Sequence, residues 1–182
     1  MKKIILTLFT AILCITAFAQ KKTTTSATIA FDATTTLDKL PKAENKTVVA
    51  ALDTKAGTIQ FEAAIKSFAF SNPRIQEHFN NSSWMDSDKF PKSTFTGTIT
   101  NLAKVNFAKA GTYTADVDGT LTIHGIEQKI KTTAVITVKD GGAISTTSEF
   151  SVKLEDYKVD GPAVGAGKVS REPKITVTAE FN

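Results

Sequence analysis

The stretch G-T-Y-T-A-D-V-D-G-T-L-T-I, from Gly111 to Ile123, decides the fold class. Tyr113, Ala115, Val117, Gly119, Leu121 and Ile123 fall on one side of an extended chain. Thr112, Thr114, Asp116, Asp118, Thr120 and Thr122 fall on the other. A period of two with one apolar and one polar face is the pattern of a half-buried strand, and it points to an antiparallel sheet with one packed face.

The same period recurs on either side. Ala27 to Ala33, Thr47 to Leu52, Thr58 to Ile65, Ser93 to Leu102, Ile130 to Val138, Ile144 to Leu154 and Lys174 to Phe181 each alternate, and turn-forming residues separate them. Asp38 to Lys46 is charged, contains Pro41 and reads as a loop. Gly125-Ile126-Glu127 and Asp140-Gly141-Gly142 read as turns, and Pro162 to Ser170 as a Gly-rich loop. The expectation is an all-β chain of about eight antiparallel strands. Strands with one apolar face must pack on another sheet or close on themselves, and eight strands close around an interior wide enough for side chains or one small ligand. Ala63, Gly97, Ala115, Gly119 and Ala179 are small residues at inward positions. They are expected to leave the barrel hollow, so Gly119→Leu should reduce its capacity with the fold intact.

One segment does not alternate. Ser71 to Phe95 reads S-N-P-R-I-Q-E-H-F-N-N-S-S-W-M-D-S-D-K-F-P-K-S-T-F. Asn72 suits a helix N-cap and Pro73 a first helical turn. Ile75 and Phe79 share one helical face. A short helical insert between strands is therefore predicted. Phe79, Trp84 and Met85, with Phe68, Phe70 and Phe90 around them, form an apolar cluster that either plugs one barrel end or gates it.

The first nineteen residues are set apart. Lys2 and Lys3 precede an apolar run from Ile4 to Phe18, and Ala17-Phe18-Ala19 fits a leader cleavage site. The run is shorter than the roughly 20 residues that span a bilayer. The expected organisation is a signal peptide at 1–19 and one domain at 20–182. The mature chain is then periplasmic or secreted, with no stable membrane insertion after signal removal. Cys14 is the only cysteine, so no disulfide staples the domain. The formal charge of +4 includes Lys2 and Lys3, and like charges form no run. That excludes the basic stripe of a nucleic-acid binder.

Motifs of chemistry are sparse. His78 and His124 are the only histidines, and adjacent Glu77-His78 has no metal-site spacing. No G-x-S-x-G elbow activates a serine, and Ser82, Ser83, Ser87 and Ser93 read as turn or cap residues. Gly161 to Gly167 resembles a phosphate loop loosely but lacks the Lys-Ser/Thr that follows one. No catalytic residue, metal or cofactor is expected.

Two motifs together resemble the YceI family of polyisoprenoid-binding-like proteins. They are N-P-x-x-Q-E-H-F joined to W-M-D-S-D-K-F-P-K-S-T-F (Asn72 to Phe95) and G-T-L-T-I-H-G (Gly119 to Gly125), with Lys129 shortly after. The likeness reaches from Ile59 to Phe181. Ala27 to Lys46 departs from the family's opening, which usually carries a His-Ser pair. The resemblance implies an extended lipocalin-like, eight-stranded antiparallel β-barrel, periplasmic or secreted, some members of which hold a long isoprenoid chain inside.

The alternation places Phe61, Phe95, Ile99, Tyr113, Val117, Leu121, Ile136 and Phe150 as candidate cavity lining from the wall, with Phe79, Trp84 and Met85 from the insert. Tyr113 is expected to offer its hydroxyl to a head group. The expected ligand is an isoprenoid, quinone or fatty-acid-like lipid. The alternatives are a filled barrel acting as an interaction or stress-response module, and a hydrolase built on His78, His124 and a carboxylate. The sequence leaves open a homodimer.

Overall fold

The computed structural model describes residues 21–182; the predicted leader at 1–19 and Gln20 lie outside the described residues. The strands are β1 (Lys21–Asp32), β2 (Lys42–Asp53), β3 (Thr58–Ala64), β4 (Ala69–Phe70), β5 (Lys92–Ile99), β6 (Gly111–Ile123), β7 (Ile126–Val138), β8 (Ile144–Ser151) and β9 (Lys174–Phe181). Two short α-helices join them, α1 (Pro73–Asn80) and α2 (Pro162–Gly165). All pairings are antiparallel, in the order β1-β9-β8-β7-β6-β5-β3-β2, and β1 pairs with β2 again. That last pairing closes an eight-stranded barrel, as the alternation predicts. The ninth strand, β4, is two residues laid against Ala43 and Glu44 of β2, outside the ring.

The longest ladder joins β6 to β7 in unbroken register, from Gly111↔Val138 to Ile123↔Ile126. His124 and Gly125 sit between them at φ of 53° and 72°, the two positive values that a type I′ hairpin turn needs. The turn is therefore His124-Gly125 rather than Gly125-Ile126-Glu127. Ile126 already pairs, so β7 starts four residues before the predicted Ile130.

The largest departure from the sequence reading is at the start. β1 begins at Lys21, six residues before the alternation read from Ala27, and Lys42 to Lys46 belongs to β2 rather than to a loop. In β2, Ala43 and Asn45 are buried, then Val48, Ala50 and Leu52. The inward phase changes from odd to even between them. A β-bulge causes this, because one extra residue flips every later side chain to the other face. Asn45 stabilises the bulge from inside. Its Oδ1 accepts from the Thr47 amide at 2.9 Å and the Thr47 hydroxyl at 3.0 Å, and its Nδ2 donates to the Ala64 carbonyl at 3.0 Å.

The core is the barrel's inner face. Val48, Leu52, Ala115, Ile136, Ile144 and Phe181 are among its buried members. Long connections gather at one end: 33–41 between β1 and β2, 65–91 carrying β4 and α1, and 152–173 carrying α2. The predicted Gly-rich loop at 162–170 thus begins with one helical turn, Pro162 at its start. The opposite end has 54–57, 100–110 and the tight 139–143 turn, where Gly141 and Gly142 lie at φ 89° and 86°.

Candidate functional site

Inside the barrel runs a cavity of about 140 Å³, roughly ten water positions' worth of space. No charged side chain lines it. Phe61, Phe95, Ile99, Val117, Leu121 and Ile136 reach it from β3, β5, β6 and β7, and Phe150 from β8. Phe79 and Met85 reach it from α1 and the loop after it. Sequence reasoning did not name Ile29, Ile130, Thr132, Ser148, Ile175 and Val177, which also line it. Their signal was available, since each holds an inward phase of β1, β7, β8 or β9.

The small inward residues do not act as expected. A Cβ placed on Gly119 would lie 2.4 Å from Phe95 Cζ and 2.7 Å from the Thr96 carbonyl oxygen, and one on Gly97 would lie 2.6 Å from Phe95 Cζ. Gly97 and Gly119 are paired across β5 and β6, and the Phe95 ring lies over both. An aromatic ring covering strand glycines restores the contacts they lack. The glycines seat a ring rather than leave a void. Gly119→Leu therefore collides with the ring and with backbone, and the expectation of an intact fold is corrected.

The insert builds a cap at the end with the long connections. Asn72 Oδ1 accepts from the Arg74 amide at 2.9 Å and starts α1 at Pro73, as predicted. Gln76 ties the helix to β4: its Nε2 donates to the Phe68 carbonyl at 2.7 Å, and its Oε1 accepts from the Phe70 amide at 3.0 Å. Those bonds turn Phe79 inward, where its ring meets Phe70 at 4.9 Å, Phe68 at 5.9 Å and Phe31 at 6.0 Å between centroids. The Met85 amide donates to the Phe79 carbonyl, and the Ser87 hydroxyl to the Asn80 carbonyl. The Ser87 and Ser83 hydroxyls thus serve turns, Ser83 donating to Asn81 Oδ1 at 2.6 Å.

Two predicted lining residues stand elsewhere. The Tyr113 hydroxyl donates to the Lys109 carbonyl at 2.9 Å, closing the 100–110 connection, so it is not a free head-group partner. Trp84 packs edge-on to Phe79 at 6.2 Å and beside Gly161, half-buried against the core, and does not border the cavity.

The histidines are separated by role. His78 is exposed on α1. His124 holds the β6–β7 turn: its ring stands edge-on to Phe90 at 4.6 Å, and its Nδ1 lies 3.2 Å from the Tyr157 carbonyl oxygen. Phe90 also crowds Gly125, where a Cβ would come within 2.6 Å of its Cε1. The F-P of one motif and the H-G of the other therefore meet as packing between connections at the capped end. Among the described residues no group of three or more His, Cys, Asp or Glu is placed to hold a metal ion. Tyr157 is buried, and burial, with Asp156 adding to it, pushes its hydroxyl up to about 12.

The comparisons agree with this geometry. A model of YceI-like domains matches residues 16–181. A polyisoprenoid binding domain from Saccharophagus degradans, implicated in plant cell wall breakdown, superposes with a TM-score of 0.75 at 14% identity, over 90% of this chain and 98% of that one. BcnA of Burkholderia cenocepacia superposes at 0.67 with 17% identity, over 84% and 96% of the two chains. A Campylobacter jejuni YCEI protein superposes at 0.53 with 19% identity, over 75% and 81%. No curated protein matches the chain.

Proposed function

We propose that this chain, which belongs to the YceI-like family, is a lipid-binding protein whose barrel takes a long, uncharged apolar chain such as an isoprenoid or isoprenoid quinone. The observation that carries the reading is the lining, apolar and free of charged side chains from β1 to the α1 cap. Ligand pockets are typically built this way, with few polar groups. The Saccharophagus neighbour's description as a polyisoprenoid binding domain supports the same chemistry. Burial releases about 0.8 kcal/mol per CH₂. Ten carbons then contribute on the order of 8 kcal/mol before the costs of association; a micromolar complex needs about 8 kcal/mol net, so a chain longer than ten carbons is required. A fatty acid fits less well, because its carboxylate finds no counter-charge inside and must stay at a rim. The leader read from the sequence at 1–19 supports a periplasmic or secreted setting for this binding, with the domain at 20–182 as carrier or scavenger rather than catalyst.

One observation favours a second reading, the filled barrel that serves as an interaction module. A cavity of about 140 Å³ is below the usual ligand-pocket range of roughly 300–1,000 Å³, and the Phe95 ring, seated over Gly97 and Gly119, is part of its lining. On the first reading that ring moves aside for the ligand.

The test uses Trp84, the chain's only tryptophan. Titration with a long-chain isoprenoid quinone should quench its fluorescence saturably at micromolar concentration. Absence of saturable quenching, with quinones and with fatty acids displacing a fluorescent fatty acid, supports the filled barrel.

A further inference from the structure

The barrel wall is not zipped along its whole length. β7 pairs with β6 over all of Ile126–Val138, but with β8 only from Ala134↔Ser148 to Val138↔Ile144. β8 continues along β9 to Ser151↔Lys174. Toward the capped end, therefore, Ile126–Thr133 of β7 and Glu149–Ser151 of β8 part company. The ladder ends on side chains. The Ser148 hydroxyl donates to the Thr133 carbonyl at 2.7 Å and lies 3.1 Å from the Thr132 hydroxyl. Beyond the gap, Gln128 Nε2 donates to the Asp156 carbonyl at 2.9 Å and rejoins the two sides. The result is a slot with a polar clasp at each end.

Two other seams diverge and are filled by neighbouring side chains, and the β7–β8 seam is itself flanked by Val152, Leu154 and Tyr157, all buried. Where β2 leaves β3, Asn45 bridges to Ala64, and Ile65 and Phe68 are buried behind it. Where β9 leaves β1 at the opposite end, Ala27, Ala179 and Phe181 are buried. At the β7–β8 seam the inward side chains Ile130, Thr132, Ser148 and Phe150 are half-buried, as are Ile175 and Val177 behind them on β9 and Phe61 and Phe95 on the facing wall. All eight line the cavity.

We infer that this slot is the lateral entrance through which an apolar chain slides into the barrel, the uncharged head remaining at the Thr132–Ser148 clasp. The inference rests on the lipid-binding reading above. Entry here breaks no ladder bond, because none is formed between the parted segments. Entry through the capped end requires separating the Phe79 ring cluster and the two Gln76 bonds.

Zipping the seam tests it. Continuing the register sets Lys131 against Ser151, both facing outward, so a disulfide there closes the slot without filling the lumen. The full chain carries Cys14→Ser, Lys131→Cys and Ser151→Cys. Stopped-flow quenching of Trp84 by a long-chain isoprenoid quinone is recorded oxidised and reduced. The expected result is uptake slowed at least tenfold when oxidised and restored by reductant. Equal rates in both states, with the disulfide verified, overturn the lateral entrance and leave the capped end. No quenching even in the reduced and unsubstituted proteins counts against the lipid-binding reading instead. Should the cysteines fail to join, Thr132→Tyr narrows the slot from its inner edge. It should slow uptake severalfold with the far-ultraviolet spectrum unchanged, and an unaltered rate overturns the proposal equally.

Discussion

Replacing Phe95 with alanine should weaken the fold and strengthen binding at once. The ring lies over Gly97 and Gly119 and projects from the cavity's lining, so on the lipid-binding reading it takes space a bound chain would use. Truncating a fully buried phenylalanine costs roughly 3–5 kcal/mol. Phe95 is half-buried beside an existing cavity, so about 2 kcal/mol is expected, since part of the cavity term is already present. In a domain of this size that lowers Tm by roughly 4–8 °C. With the ring gone, about three further methylenes of a bound chain find room. At about 0.8 kcal/mol each they tighten binding roughly fiftyfold. Thermal unfolding followed by circular dichroism reads the first effect, and Trp84 quenching by an isoprenoid quinone reads the second. Saturating ligand should also recover much of the lost Tm, because only the folded state binds it. Weaker binding by Phe95→Ala refutes the reasoning, for it would mean that the ring is wall rather than obstruction. A lower Tm with no binding in either protein would instead describe a filled barrel.

Gly119→Ala should cost about 1–3 kcal/mol by overpacking, and Phe95→Ala should rescue it only in part, since the Thr96 carbonyl still opposes the new methyl group; a double-mutant cycle in denaturant measures this. Asn45→Ala removes three hydrogen bonds at a fully buried position and orphans the Ala64 carbonyl. About 2–3 kcal/mol should be lost, with Tm lower by roughly 4–12 °C in a thermal melt. Of the two tyrosines, Tyr157 should titrate near 12 in an absorbance titration. Its raised value leaves the contribution to stability intact below about pH 10 and removes it between about pH 10 and 12, as the unfolded chain ionises first; denaturant midpoints across that window should fall.

The sequence made the barrel legible through β6, whose thirteen residues alternate without a fault, and through the Asn72-Pro73 start of α1. The β1–β2 region hid itself. The bulge at Lys46-Thr47 breaks the period, and the inward residue before it is a buried Asn rather than an apolar one. A pattern search weighs a lone buried amide as loop, while the fold uses it as the bulge's internal anchor. Small residues at 97 and 119 were visible, but not what stood above them, because whether a glycine leaves space or receives a ring depends on a neighbouring rotamer. Tyr113 sits at the expected phase, yet its hydroxyl is consumed by Lys109, a contact set by how the 100–110 connection folds back. The slot between β7 and β8 left no trace in the alternation, since both strands keep their period where they part. Register between strands is a tertiary property, and the side-chain clasp of Thr132 and Ser148 is written in two residues that look like ordinary strand positions.

The most direct measurement is native mass spectrometry of the protein purified from its own envelope, followed by extraction and identification of what it carries. A retained long-chain isoprenoid or isoprenoid quinone, one per chain, is the predicted result. A bare polypeptide mass that persists after incubation with quinones and fatty acids would contradict a lipid-filled barrel.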